Sequence, residues 1–382
     1  MGPLKGFKII EVAGIGPTQF CGMLLADMGA SIIRIERPGG TDVGVGLPAR
    51  FNLMNRSRPA IAVDLKSAAG SQLILKLCES ADAIFEGFRP GVMEKLGLAP
   101  DICRQRNRRL VVGRMTGWGQ DGPLADSVGH DGNYAALSGA LAAIGEKGGS
   151  PAIPLNLVAD FGGGGAYLAI GILAALLEVH RSGEGQVVDS AMVDGAASLM
   201  TLFYGMYSGG LWRNERGSNF LDGGAPFYRT YKTSDEKYVV VCAIEPRFYG
   251  ELLDTLGITG VSPQDQHNQA NWPTLQKTIE SIFVTKTRAE WCETFADRDA
   301  CFAPVLSVAE APQHAHNKAR NTFIEVDGVV QPAPAPRFSR TVSEVRSGPF
   351  APVTGSRELL LDWGFTNDEI RKFDTDGAFG SK

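Results

Sequence analysis

The chain has little histidine, no paired cysteines, no excess of positive charge and no long unbroken apolar run. Its five histidines form no group with metal-ligand spacing. Only His314 and His316 lie close together, and that pair reads as a solvated loop. The six cysteines, Cys21, Cys78, Cys103, Cys242, Cys292 and Cys301, contain no CxxC pair. They read as reduced, mostly buried thiols rather than a disulfide or zinc framework. A formal net charge of −5 argues against a nucleic-acid-binding surface as the main function, while leaving room for a local basic pocket. The absence of an 18-residue uninterrupted apolar window gives the expectation that nothing spans a membrane. Lys5 and Lys8 precede a strand-like run, not a signal-peptide apolar region. The closing Phe-Gly-Ser-Lys is not a peroxisomal tail. The cytoplasm is therefore the expected location.

What is present is an ordinary globular composition, 44% hydrophobic and 21% charged, in a chain long enough for two domains. Residues 7–12 read as a buried strand. Gly14, Gly16 and Pro17 turn the chain into a helix over 18–28, and 31–36 is a second strand. This β-α-β opening predicts a parallel sheet. It does not make a dinucleotide site, because Gln19 stands where the third glycine of the fingerprint belongs and Glu36 runs directly into Arg37-Pro38. Further strands are predicted at 60–65, 83–86 and 110–115, with a helix at 67–80 between the first two. The strands end in basic or glycine-rich loops, where open α/β sheets bind ligands. Arg37, Arg89 and Lys95, each alone a plausible surface charge, together suggest an anionic ligand such as a nucleotide phosphate.

The residues with the strongest chemical content lie between 128 and 165. Gly129-His130-Asp131-Gly132-Asn133-Tyr134 places a histidine beside an aspartate in a glycine-flanked turn. Asn156-Leu157-Val158-Ala159-Asp160 places a second carboxylate before Phe161 and the glycines Gly162, Gly163, Gly164 and Gly165. Glycines at such turns let backbone approach a ligand, and the helices expected over 134–144 and 166–180 would aim free N–H groups at it. His130 and Asp160 are thus candidates for an acid/base pair. The plainer readings are a satisfied surface histidine and a helix N-cap. Downstream, 207–224 reads as a linker, 228–232 and 238–243 as a hairpin, and 247–256, 272–283 and 288–296 as helices of a small α+β domain. The 332–336 Pro-Ala-Pro-Ala-Pro run is stiff and extended. Short helices over 357–363 and 367–373 close the chain.

The motifs at 129–134 and 156–164, with matching stretches nearly end to end from 6–12 to 331–340, resemble the family III CoA-transferase superfamily and, within it, the α-methylacyl-CoA racemases. The resemblance implies an α/β fold with a Rossmann-like parallel-sheet large domain and a smaller α+β domain, in an interlocked homodimer. Its boundaries fall at 1–205 for the first part of the large CoA-binding domain, 206–225 for a linker, 226–310 for the small domain and 311–382 for the return. It implies racemisation of 2-methyl-branched acyl-CoA thioesters in lipid metabolism. The resemblance further implies that His130 and Asp160 are the acid/base pair and that Glu245 enters from the small domain, from the other subunit, to orient the histidine. Arg37, Val63, Gly87, Phe88, Arg89, Lys95, Gly129, Asp131, Gly132, Asn133 and Tyr134 fall where the family binds CoA. Lys95 stands where arginine is expected, and Gly132 replaces a bulkier apolar residue. No metal, flavin or nicotinamide is required; coenzyme A enters only as part of the substrate. The alternative within the superfamily is CoA transfer between carboxylic acids, with Asp131 as nucleophile. His130 before it and Glu245-Pro246 favour the racemase pattern. A non-catalytic CoA-binding scaffold is a third class.

Overall fold

The computed structural model describes residues 2–12, 14–40, 46–351, 353–354 and 356–380. Ser381 and Lys382, on which the reading of the C-terminal tail rests, lie outside the described residues. The chain divides into two compact units. The first comprises Met1–Ser138, Leu155–Leu199 and His316–Lys382; the second comprises Gly139–Pro154 and Met200–Ala315.

The first unit is built on a parallel sheet. Its strands are β1 (Lys8–Val12), β2 (Ser31–Glu36), β3 (Ala60–Ala62), β4 (Ala83–Glu86), β5 (Val111–Thr116) and β6 (Val187–Ala191). The order is β3-β2-β1-β4-β5-β6, with Val353–Thr354 added outside β3. Every pairing in this sheet is parallel. Continuous runs such as Ile9-Ile10 and Ile32-Ile33 suit strands covered on both faces. One layer is a core where Leu73, Leu77, Ile84 and Val112 meet Leu360, Trp363 and Ile370 from the C-terminal helices. The strand order reverses between β1 and β4, the switch point where open α/β sheets bind ligands.

The other layer carries the Pro17–Asp27 helix and the Leu157–Ser182 run. That run begins as a π-helix over Leu157–Ala166 and continues as an α-helix over Tyr167–Ser182. By length and mean hydropathy of 1.6 it could cross a membrane, yet half of its most apolar window is buried in this fold. It lies on β5, where a side chain at Gly113 would meet Leu168 and Ile172 at 2.9 and 3.2 Å.

The expected glycine turn at 162–165 is therefore helical. The reason is packing of backbone on backbone. A Cβ on Gly195 would lie 1.8 Å from the Gly163 carbonyl oxygen, and one on Gly165 would lie 2.5 Å from that of Pro17. These glycines admit neighbouring helices rather than a ligand. The helix expected over 134–144 starts at Asp131, ends at Leu137 and resumes as Ala140–Ala143 after left-handed Gly139. The segment Arg56–Arg58 is buried.

In the second unit, β7 (Tyr228–Lys232), β8 (Tyr238–Cys242) and β9 (Phe302–Pro304) form an antiparallel sheet. Helices Pro246–Thr255, Trp272–Phe283 and Arg288–Thr294 cover one face, burying Tyr231, Val239 and Val241 against Leu252, Ile279 and Phe283. The short third strand was not legible in the sequence. Nor was the hairpin Phe323–Val326/Val329–Pro332, which takes up the start of the proline-rich run.

Candidate active site

The carboxyl ends of β1, β4 and β5 open onto a cavity of ≈ 680 Å³ within the first unit. Ile15, Gly16, Pro17 and Gln19 come from the loop after β1 and the helix it starts; Gly87, Phe88, Arg89 and Pro90 follow β4; Thr116, Gly117 and Trp118 end β5. His130, Tyr134, Asn156 and Asp160 stand on the same wall, as does Gly129. The two candidate acid/base residues, 30 positions apart in sequence, thus line one cavity.

His130 is the N-cap residue of the Asp131–Leu137 helix, in extended conformation. Its backbone N–H donates to Asn133 Oδ1 at 3.0 Å, a local bond that fixes the main chain and leaves the exposed imidazole on the cavity wall. Asp160 sits on the first turns of the π-helix, a geometry common at functional sites. Asn156 Nδ2 donates to its Oδ2 at 3.2 Å. Burial pushes its carboxyl above the ordinary aspartate value. The Asn156 hydrogen bond pulls the other way, Asp131 adds to the rise, and the His130 charge lowers it. Gly16 fits against this carboxylate: its φ is 62°, and a Cβ there would lie 3.1 Å from Asp160 Oδ2.

Asp131, the nucleophile of the transferase alternative, is set apart from the cavity. It is 4% exposed and is not on the cavity wall. Its Oδ1 accepts the backbone N–H of Ala159 at 2.8 Å and of Asp160 at 2.7 Å, and its Oδ2 is buried without a partner among the described residues. A carboxylate held by two main-chain donors on a helix start is a brace. It ties the His130 helix to the Asp160 segment.

Tyr134 packs edge-on against Trp118, ring centroids 4.7 Å apart, and its hydroxyl donates to the Gly129 carbonyl. Gly117 and Gly129 make room for it, since a Cβ on either would fall within 2.2 and 2.7 Å of the ring. Burial first, then Asp160, pushes its phenol up to about 12, so it remains a neutral donor.

Of the other expected ligand-binding residues, Gly87, Phe88 and Arg89 are on the wall, with Arg89 exposed. Arg37 and Lys95 are exposed beyond it. Gly132 and Asn133 follow on the His130 helix without lining the cavity. The Val63 side chain is core, 1% exposed, with its N–H given to the Glu36 carbonyl at 2.8 Å; only its remaining main chain can serve a ligand. Glu245 lies in the second unit, exposed, as the N-cap residue of Pro246–Thr255 without a side-chain capping bond.

Sequence reasoning missed the scaffold behind the wall. Arg58, fully buried, bonds Glu11 on β1, the Gln19 carbonyl at 3.1 Å, the Met54 carbonyl and Asn55 Oδ1 at 3.2 Å. Gln19 and Met54 both line the cavity. Glu86 is similar: it accepts the Phe88 N–H at 2.6 Å and faces Arg114 at 3.2 Å. Burial raises its carboxyl to about 7, against the opposing effects of the Phe88 bond and Arg114. Charges inside strand-like runs, such as Glu11 in β1 and Arg34 in β2, were the available signal, because a buried mid-strand charge demands a partner.

The parallel sheet of this order has at its switch point a cavity walled by a histidine and a half-buried aspartate, and the chain matches CoA-transferase family III over residues 4–357; it belongs to that family. Among its relatives are the alpha-methylacyl-CoA racemases of Mus musculus, 45% identical over 98% of this chain and 96% of that protein, and of Homo sapiens, 41% identical over the same shares. The crystal structure of Rv3272 from M. tuberculosis superposes with a TM-score of 0.76 at 28% identity, covering 93% of this chain and 98% of that one.

Proposed function

We propose that the protein is an α-methylacyl-CoA racemase, inverting the α-carbon of 2-methyl-branched acyl-CoA thioesters through an enolate. The observation that carries this reading is the meeting of His130 and Asp160 on one cavity wall while Asp131 is locked away as a brace. The curated racemases at 45% and 41% identity support it.

A thioester acidifies its α-proton, and inversion needs a base on one face and an acid on the other. A half-buried aspartate with a raised pKa suits either role better than an ordinary one. Asn156 orients and partly offsets it. Main-chain donors aimed at the developing enolate oxygen would supply about 3–4 kcal/mol. Arg89 and, farther out, Arg37 and Lys95 suit the phosphates of coenzyme A. Binding energy from that remote end positions the reacting carbon. We assign Glu245 to orienting His130 across an interlocked homodimer, supported by its exposed, uncapped position. The reaction so drawn uses no metal or redox cofactor, and a cytoplasmic location is part of the same proposal.

The test is incubation of one enantiomer of a 2-methylacyl-CoA in deuterium oxide without an acceptor acid. Deuterium at the α-carbon with loss of optical purity is the expected result. No exchange, with CoA passing to an added carboxylate, overturns the reading.

A further inference from the structure

We propose that Cys242 and Cys301 are an oxidation site, forming a reversible disulfide with a peroxide or a small disulfide as oxidant. The inference does not rest on the racemase reading.

The β8–β9 register pairs Val240 with Ala303 and Val241 with Phe302. One step further sets Cys242 opposite Cys301, and the Cys242 N–H donates to the Cys301 carbonyl at 3.0 Å. Directly opposed residues of an antiparallel ladder have Cα atoms about 4.5–5.5 Å apart, inside the range of about 4.4–6.8 Å that a disulfide needs. The faces also agree. Val239 and Val241 point into the core, so Cys242, next in the alternation, points to the opposite face. Cys301 is exposed. Its φ of 49° is the left-handed region that non-glycine residues avoid, at the point where the chain enters β9. The Tyr228 hydroxyl shares a hydrogen bond with the Cys242 thiol.

The chemistry closes on two electrons. The Cys301 thiolate attacks one peroxide oxygen, giving a sulfenic acid and hydroxide, which takes up the thiol proton as water. The Cys242 sulfur then displaces the sulfenic oxygen as a second water and forms the S–S bond. Two thiols and one hydrogen peroxide thus give one disulfide and two waters. With glutathione disulfide the products are two glutathione thiols. Burial and the carboxylates of Glu245 and Asp299 hold the Cys301 thiol above its ordinary value. Burial likewise raises Cys242, whose thiol also faces Cys301 and Tyr228. The reaction is therefore slow at neutral pH and faster above it. The bridge would anchor the end of β8 three residues before Glu245.

The fold supplies an internal control. Cys78 and Cys103 also share a hydrogen bond, but both are 0% exposed. The experiment treats the whole protein with hydrogen peroxide at pH 7 and pH 8.5, alkylates the remaining thiols and maps the peptides by mass spectrometry. The expected result is parallel loss of alkylation at Cys242 and Cys301, a linked peptide two hydrogens lighter, and reversal by dithiothreitol. It precedes any Cys78–Cys103 link and is faster at pH 8.5. Cys242→Ser should instead leave a Cys301 sulfenic acid that dimedone traps. Over-oxidation of Cys301 with Cys242 still alkylated, or a Cys78–Cys103 link forming first, overturns the proposal.

Discussion

Replacing Asp131 separates a brace from a nucleophile, because the two roles respond oppositely to an isosteric amide. In Asp131→Asn the side-chain oxygen can still accept from the Ala159 and Asp160 N–H groups, now at 2.8 and 2.7 Å. The amide NH2 would occupy the place of Oδ2, which has no partner to lose. Hydrogen bonds to a charged acceptor contribute about 1.5–3 kcal/mol each and neutral ones about half that. Asp131→Asn should therefore cost about 1.5–3 kcal/mol of stability, and Asp131→Ala, which orphans both donors, about 3–5 kcal/mol. Chemical denaturation at fixed pH reads both values. Activity follows from geometry: the Asn variant should keep proton exchange within about tenfold of the parent. Removing the Asp131 charge also removes one influence that raises the Asp160 pKa, so the acid limb of the rate profile should move to lower pH. A folded Asp131→Asn protein that has lost all turnover would refute the brace and restore the covalent reading.

Asn156→Ala should move that limb the other way, to higher pH, because it deletes the hydrogen bond that lowers the Asp160 pKa; a rate profile on the enantiomer deprotonated by Asp160 checks it. Arg58→Met should destabilise the protein by about 3–5 kcal/mol by stranding Glu11. Adding Glu11→Leu should recover most of that in an unfolding titration, yet leave KM raised, since the Gln19 and Met54 tethers stay lost. Glu86 keeps its proton up to about pH 7 in the folded protein and releases it near 4.5 in the unfolded chain. The folded state binds more protons in between, so this group's contribution falls as pH rises through that window, by about 3 kcal/mol at most. Glu86→Gln should flatten the slope of unfolding free energy between pH 4.5 and 7.

The elements carried by local pattern were legible. Strand β4 and the Trp272–Phe283 helix have the expected bounds, because an apolar run between turns and a strong 3.6-residue period leave no competitor. The bringing together of His130 and Asp160 was legible only through motif resemblance. What failed was long-range. Four glycines read as a turn because the helix backbones that need their missing side chains lie elsewhere in the chain. The Glu11–Arg58 pair spans 47 residues, and the Asp131 brace spans 28 and 29; no local window contains either. The helix breaks at Gly139 and Met200 interrupt patterns that apolar content alone continues.

The most direct test uses half-disabled enzymes. His130→Ala and Asp160→Asn would each be given the two pure enantiomers separately in deuterium oxide, and α-proton exchange followed without regard to inversion. With one base on each face, each variant exchanges the proton of one enantiomer and not the other, the preference is opposite in the two variants, and neither inverts. Loss of exchange on the same enantiomer in both variants, or exchange on both in either one, contradicts the two-base account.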